Sequence, residues 1–201
     1  SEGVYKGEGV YNAGKFIMYN GMISGNNHAG VHTEKCFIMY GGKICNNANT
    51  ARAGGGVYVS GNKNECSFEM HGGEIFGNNT NDGAGVYIQE TKVAMKGGTI
   101  YNNTSTKGGG GVYICGGTFE MSGGEISKNT TINFGGGVYK EKGTFTMSGD
   151  STITQNKSQA TGGGVYNQQS EFTMLGGKIT DNESQLSGGG VNNLGTFTMS
   201  G

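Results

Sequence analysis

The chain has 201 residues, with 43 Gly, no Pro, no Trp and 14% charged residues, a balance that excludes an ordinary packed globule. A formal net charge of −1 with no run of like charges excludes the basic footprint of a nucleic-acid or anionic-lipid binder. No apolar stretch reaches the length of a bilayer span and the opening SEGVYKGEGVY lacks the signature of a signal peptide, so no membrane insertion is expected and any export signal lies outside this sequence.

Glycine at this abundance means disorder unless it recurs at fixed places between apolar residues, and here it recurs. The first element of each repeat is Gly-Val-Tyr or a variant, with its Gly at 9, 30, 56, 85, 111, 137, 164 and 190, spaced 21, 26, 29, 26, 26, 27 and 26. The second is Phe-x-Met: Phe16, Phe37, Phe68, Val93, Phe119, Phe145, Phe172 and Phe197, each two residues before a Met, which accounts for eight of the nine Met. A spacing of two places both side chains on one face of a strand, whereas a helix would separate them. The third is Gly-x-Ile, at Ile23, Ile44, Ile75, Ile100, Ile126, Ile153 and Ile179, and three residues after each Ile stands an Asn. The prediction is seven to eight coils of mostly 26 residues with three short strands each, an all-β parallel solenoid over 1–201, more divergent in 1–53 and regular in 54–201.

One coil has too little apolar surface to order its own backbone, but stacking at ~4.8 Å pairs each strand above and below and aligns like residues in columns. Val, Phe, Met and Ile then fill the lumen. Asn26, Asn47, Asn78, Asn103, Asn129, Asn156 and Asn182 are expected to form an inward amide ladder that satisfies turn carbonyls hidden from water. Several also fit the N-x-Ser/Thr acceptor pattern, which burial in a ladder overrides.

The run from Gly135 to Tyr139, then Gly143 to Ser148, then Ile153 and Asn156, resembles the β-helix repeats of large bacterial surface proteins. It is similar to the pectin-lyase-like superfamily and, more loosely, to the GGA(I/L/V) and FxxN repeats of polymorphic outer membrane proteins. The resemblance covers essentially the whole chain and implies a right-handed coil and an extracellular or cell-surface location. It leaves chemistry open, because the fold hosts lyases, hydrolases and adhesins alike.

Function is therefore sought on outward positions. Tyr11, Tyr58, Tyr87, Tyr113, Tyr139 and Tyr166, interrupted by His32 and Asn192, are expected to form an exposed aromatic ladder, either a sugar-facing surface or a stacking device. Ile17, Tyr19, Met22, Ile38 and Tyr40 form an outward apolar patch in the first coils, read as an interface or as an arrangement capping the array. Glu69 and Glu120 fall two coils apart on one face, near the separation of an inverting carboxylate pair, but no companion residues support catalysis; Asp82, Asp150 and Asp181 are scattered, and Arg52 is the single Arg. His28 and His32 straddle a turn and His71 falls outside that coil, so neither a metal nor a cofactor is expected. Cys36 and Cys66 occupy nearly equivalent places, though an offset of one residue favours free thiols. The outward pairs Thr144 with Thr146 and Thr196 with Thr198 suggest an ice-binding face, but Glu171, Ala94, Glu69 and Ile38 break the rank.

The sequence ends within a repeat and begins with Glu2-Gly3-Val4, which reads as the third strand of a preceding coil, so the two phases are complementary. The expectation is a non-catalytic structural or adhesive rod, a segment of a longer array, with partners in adjoining domains, in other copies stacked end to end into a filament, or in host or microbial glycans and proteins. A carbohydrate-binding or polysaccharide-degrading β-helix protein is the alternative.

Overall fold

The computed structural model describes residues 7–49, 53–61 and 67–200, and these form a parallel β-solenoid without helix. Glu2 to Val4, Arg52 and Cys66 lie outside the described residues. Three sheets run along the axis, and every strand pairs in parallel with its equivalent in the next coil. Six coils contribute to all three sheets; the first described coil contributes to two and the eighth to one.

The first sheet carries both the Val-Tyr and the Phe-x-Met strands. In the fourth, fifth and sixth coils the two run on as single strands, Val86–Met95, Val112–Met121 and Val138–Met147. The second sheet carries the Ile strands. The third consists of short polar strands after the ladder asparagine, such as Thr104–Gly108, Thr130–Thr131 and Lys157–Ser158. The sheets thus number three, but two of the expected strands share one of them and the third sheet was not anticipated.

Register is like on like. Val86 pairs with Val112, Met95 with Met121, Ile100 with Ile126, and Val93 takes the Phe place between Phe68 and Phe119. Phe37 stacks on Phe68 at 4.8 Å and Phe145 on Phe172 at 4.6 Å between ring centroids, the rung spacing itself. Val, Phe, Met and Ile of these columns form one continuous buried core.

The corner before the third sheet has a fixed construction. The residue preceding each ladder asparagine has positive φ: Asn46, Asn102, Lys128, Gln155 and Asp181 lie between 53° and 56°, and Gly25 and Gly77 fill the same place. This left-handed turn points the next side chain inward, at a cost that non-glycine residues bear only when the surroundings compensate. The compensation is the ladder. Asn103 Nδ2 donates to Asn129 Oδ1 at 3.0 Å and to the Ile75 carbonyl at 3.0 Å, while its Oδ1 accepts from the Asn78 backbone N–H at 3.0 Å and from Asn78 Nδ2 at 2.9 Å. Asn26 through Asn182 repeat this pattern without a gap.

The Gly of Gly-Val-Tyr packs on that ladder. A Cβ at Gly111 would lie 2.6 Å from the Gly137 carbonyl oxygen, 2.8 Å from Ile126 Cγ2 and 2.9 Å from Asn129 Nδ2, so only a hydrogen fits.

Candidate functional site

The Tyr row lies on the outer side of the first sheet, but it is not an open surface. Tyr113, Tyr139 and Tyr166 are each 8% exposed, Tyr58 and Tyr87 are half-buried, and Tyr11 alone, at 56%, is exposed. The segment returning from the third sheet runs over the rings and covers them. Phe134 from that segment meets Tyr166 at 4.8 Å, and Gly108 passes so close that a Cβ would touch the Tyr139 ring at 2.4 Å. The expectation of an exposed ladder is corrected for these three tyrosines: the return segment is polar and glycine-rich, so no apolar periodicity announces a cover.

The hydroxyls are engaged as well, along the axis. From Tyr11 to Tyr139 each ring reaches the residue two places after the equivalent ring of the following coil: Tyr11 to Glu34, His32 to Ser60, Tyr58 to Gln89, Tyr87 to Cys115, Tyr113 to Glu141 at 2.7 Å, and Tyr139 to Gln168. Burial, first of all, pushes the Tyr113 and Tyr87 hydroxyls far up and that of Tyr139 to about 12, so these phenols stay neutral donors. Rings packed on their faces with hydroxyls paired are a stabilising device rather than a sugar platform.

No family model matches the chain, and no curated protein or solved structure is significantly similar to it.

The apolar patch of the first coils is real. Tyr19 is 71% and Met22 62% exposed, Tyr40 is exposed, and Ile17 and Ile38 lie half-buried beside them in one outward column. Tyr19 stacks on Tyr40 at 5.3 Å and Tyr40 on His71 at 4.7 Å, so the interior members of this stack present edges rather than faces. Lys96 Nζ lies 2.8 Å and His71 Nε2 3.0 Å from Glu69 Oε2, continuing the apolar patch into a charged one.

The Glu69 and Glu120 carboxylates do share one column, with Ala94 between them. The hydrogen bond from Lys96, and secondarily that from His71, holds the Glu69 carboxyl below its ordinary value, the opposite of what a general acid requires. Glu120 pairs with Lys92 at 3.0 Å. The outward column continues through Thr146, Thr173 and Thr198, a threonine run confined to the last three coils. His32 sits in the Tyr row and His71 in the outward stack; among the described residues no three His, Cys, Asp or Glu side chains form a metal-binding group.

On the third sheet, Thr104, Thr130, Lys157, Glu183 and the overhanging Ile132 line an open groove of 330 Å³ along the axis. Lys157 and Glu183 pair across adjacent coils at 2.8 Å. Cys36 is disulfide-bonded, which corrects the expectation of a free thiol there. Cys45 and Cys115 are free, and burial raises both thiols, so neither is a ready nucleophile.

One buried column escaped the sequence reading. The second inward position of the first strand holds Asn12, Thr33, Val59, Ile88, Ile114, Lys140, Asn167 and Asn193 in successive coils. The period-two rule applied from Val would have located it, but no one residue type runs through it. Lys140 and Asn167 are both fully buried.

Proposed function

We propose that this chain is a non-catalytic structural or adhesive rod of a bacterial surface or secreted protein. The observation that carries the reading is the amide ladder, continuous from Asn26 to Asn182 with its inner groups satisfied, which makes a stiff element rather than a scaffold for one pocket. Eight rungs at ~4.8 Å give a rod of about 34 Å. The Cys36 disulfide favours an oxidising compartment, in keeping with an extracellular or cell-surface location. The likeness of the repeat to bacterial surface β-helix proteins points the same way.

Partners belong to two places. Further coils of like sequence, from the same chain or from another copy stacked end to end, continue the lumen columns. Proteins or glycans engage the patch around Tyr19, Tyr40 and Met22. Small-angle scattering combined with light scattering over a concentration series tests the rod: a rigid particle of constant cross-section, lengthening in whole multiples as copies stack, is expected. A flexible particle, or growth that widens the cross-section instead of lengthening it, overturns the reading.

A second reading, a glycan-binding or polysaccharide-degrading protein, is favoured by the hydroxyl-lined groove on the third sheet. A glycan array with a reducing-sugar assay separates the two readings; binding lost in a Lys157→Ala, Glu183→Ala double variant assigns it to the groove.

A further inference from the structure

Lys140 replaces an aliphatic residue at a place where the three preceding coils carry Val59, Ile88 and Ile114, and no part of it reaches solvent. A buried ammonium is costly unless paired, and among the described residues no carboxylate touches this one. Its Nζ instead lies 2.9 Å from Asn167 Oδ1, directly across the rung, and contacts the Gln169 carbonyl.

We propose that Lys140 and Asn167 condense into an isopeptide cross-link joining the sixth coil to the seventh. This is a modification site, and it stands apart from the rod reading.

Three features of the geometry support the reaction. The amine is held against the side-chain amide at a site closed to bulk solvent, the arrangement that turns a slow bimolecular step into a fast intramolecular one. The amide is fixed in orientation: Asn167 Nδ2 donates to Asn193 Oδ1 at 2.6 Å, to the Thr196 carbonyl at 3.1 Å and to the Ser170 carbonyl at 3.3 Å. These three oxygens surround the nitrogen that must leave, and they accept hydrogen bonds from departing ammonia. Burial also lowers the Lys140 amine to about 8, against which Glu171 acts weakly, so a free-base fraction exists near neutrality.

The step balances without a co-reactant. Neutral Nζ attacks Cγ of Asn167, the Nζ–Cγ bond forms, and the carbonyl electron pair moves to Oδ1. Nζ is then cationic, a charge that the negative Glu171 favours. One Nζ proton passes to Nδ2, the Cγ–Nδ2 bond breaks as the carbonyl reforms, and ammonia departs. Nothing is oxidised or reduced. The product ties two coils otherwise joined by hydrogen bonds and packing, and it removes the buried charge.

Intact-mass measurement on the purified chain tests this, after incubation at ~pH 9, above the amine's folded value. The wild type is expected to lose the mass of one ammonia, and tandem mass spectrometry of a digest to recover the Lys140 and Asn167 peptides as one branched species. Lys140→Arg, which keeps the charge but cannot condense, is expected to hold its calculated mass. Lys140→Met, which restores an apolar side chain beside Ile114, is the second control should the arginine not fold, and circular dichroism establishes the fold of each protein. Wild type incubated in denaturant is expected to remain open, because the reaction needs the folded pocket. A folded wild type that retains its full mass, or an ammonia loss that persists in the variants or maps elsewhere, overturns the proposal.

Discussion

Replacing Asn103 by Ala should break the molecule at its middle. The side chain makes bonds to both neighbouring coils, so its loss orphans groups on each side: the buried Asn78 backbone N–H loses its acceptor, Asn78 Nδ2 keeps only the Ile44 carbonyl, and the Ile75 carbonyl and Asn129 Oδ1 each lose a donor. Asn78, Asn103 and Asn129 are all buried from bulk solvent. An orphaned buried group costs about 1–3 kcal/mol, so one fully orphaned donor and three half-satisfied partners, with the void left behind, sum to about 3–5 kcal/mol. In a one-dimensional stack a weak interface at the centre also divides the cooperative unit. Guanidinium unfolding followed by circular dichroism should therefore show an earlier transition with a reduced slope or two steps. Asn182→Ala, at the half-exposed last ladder place, should cost less than half as much. A loss below ~1 kcal/mol at Asn103, or equal losses at the two positions, would refute the view that the ladder holds the stack together.

Other outcomes follow from the same geometry. Gln155→Gly, at a φ of 56°, should relieve the left-handed strain and raise stability by about 0.5–1 kcal/mol in the same unfolding assay, whereas Gln155→Val should lower it. Gly111→Ala should cost 3 kcal/mol or more, or prevent folding, because its Cβ would strike the Gly137 carbonyl; thermal melts and soluble yield report this. In protein without the cross-link, Lys140 binds fewer protons folded than unfolded between about 8 and its ordinary 10.5, so stability should rise with pH from ~8 to 10, by an amount on the order of 3 kcal/mol if the shift is fully expressed. Urea titrations over that range should show a slope more positive in the open wild type than in Lys140→Met or the cross-linked form, where the raised Cys45 and Cys115 thiols alone make stability fall as pH rises. Above ~10 the sign reverses: Tyr101 and Tyr139, pushed up to about 12, keep their protons folded and lose them unfolded, so stability should fall. A Tyr19→Ser, Tyr40→Ser double variant should keep its melting point within a few degrees yet bind less to any adhesive partner, measured by surface plasmon resonance.

The lumen was legible because its columns repeat both chemistry and spacing. Phe and Met two apart can share a face only in a strand, and an Asn at a constant distance from Ile can recur for no other evident reason than a ladder. The apolar patch was legible for the opposite reason, as Ile17, Tyr19 and Met22 stand where later coils, apart from Ala94 and Leu175, carry polar residues. The third sheet was not, since Thr130–Thr131 or Lys157–Ser158 is too short and polar to signal a strand, and only pairing across coils makes it one. The cover over Tyr139 depends on the path of glycines and one Phe134, which no side-chain period encodes. Lys140 escaped notice because its column changes from Thr to Val, Ile, Lys and Asn. A position can be buried in coil after coil without being uniform in kind.

The amide ladder has a direction. From Asn26 to Asn156 each Nδ2 donates to the Oδ1 of the asparagine in the coil that follows, and none donates to the Oδ1 of the asparagine before it, so the amide-to-amide bonds point one way along the axis. Two such stacks could not join by matching identical faces, because donors would confront donors. Any union through the ladder must be polar and heterologous, top against bottom, a mode without a symmetry that closes it and therefore one that adds units indefinitely until something blunts the growing tip.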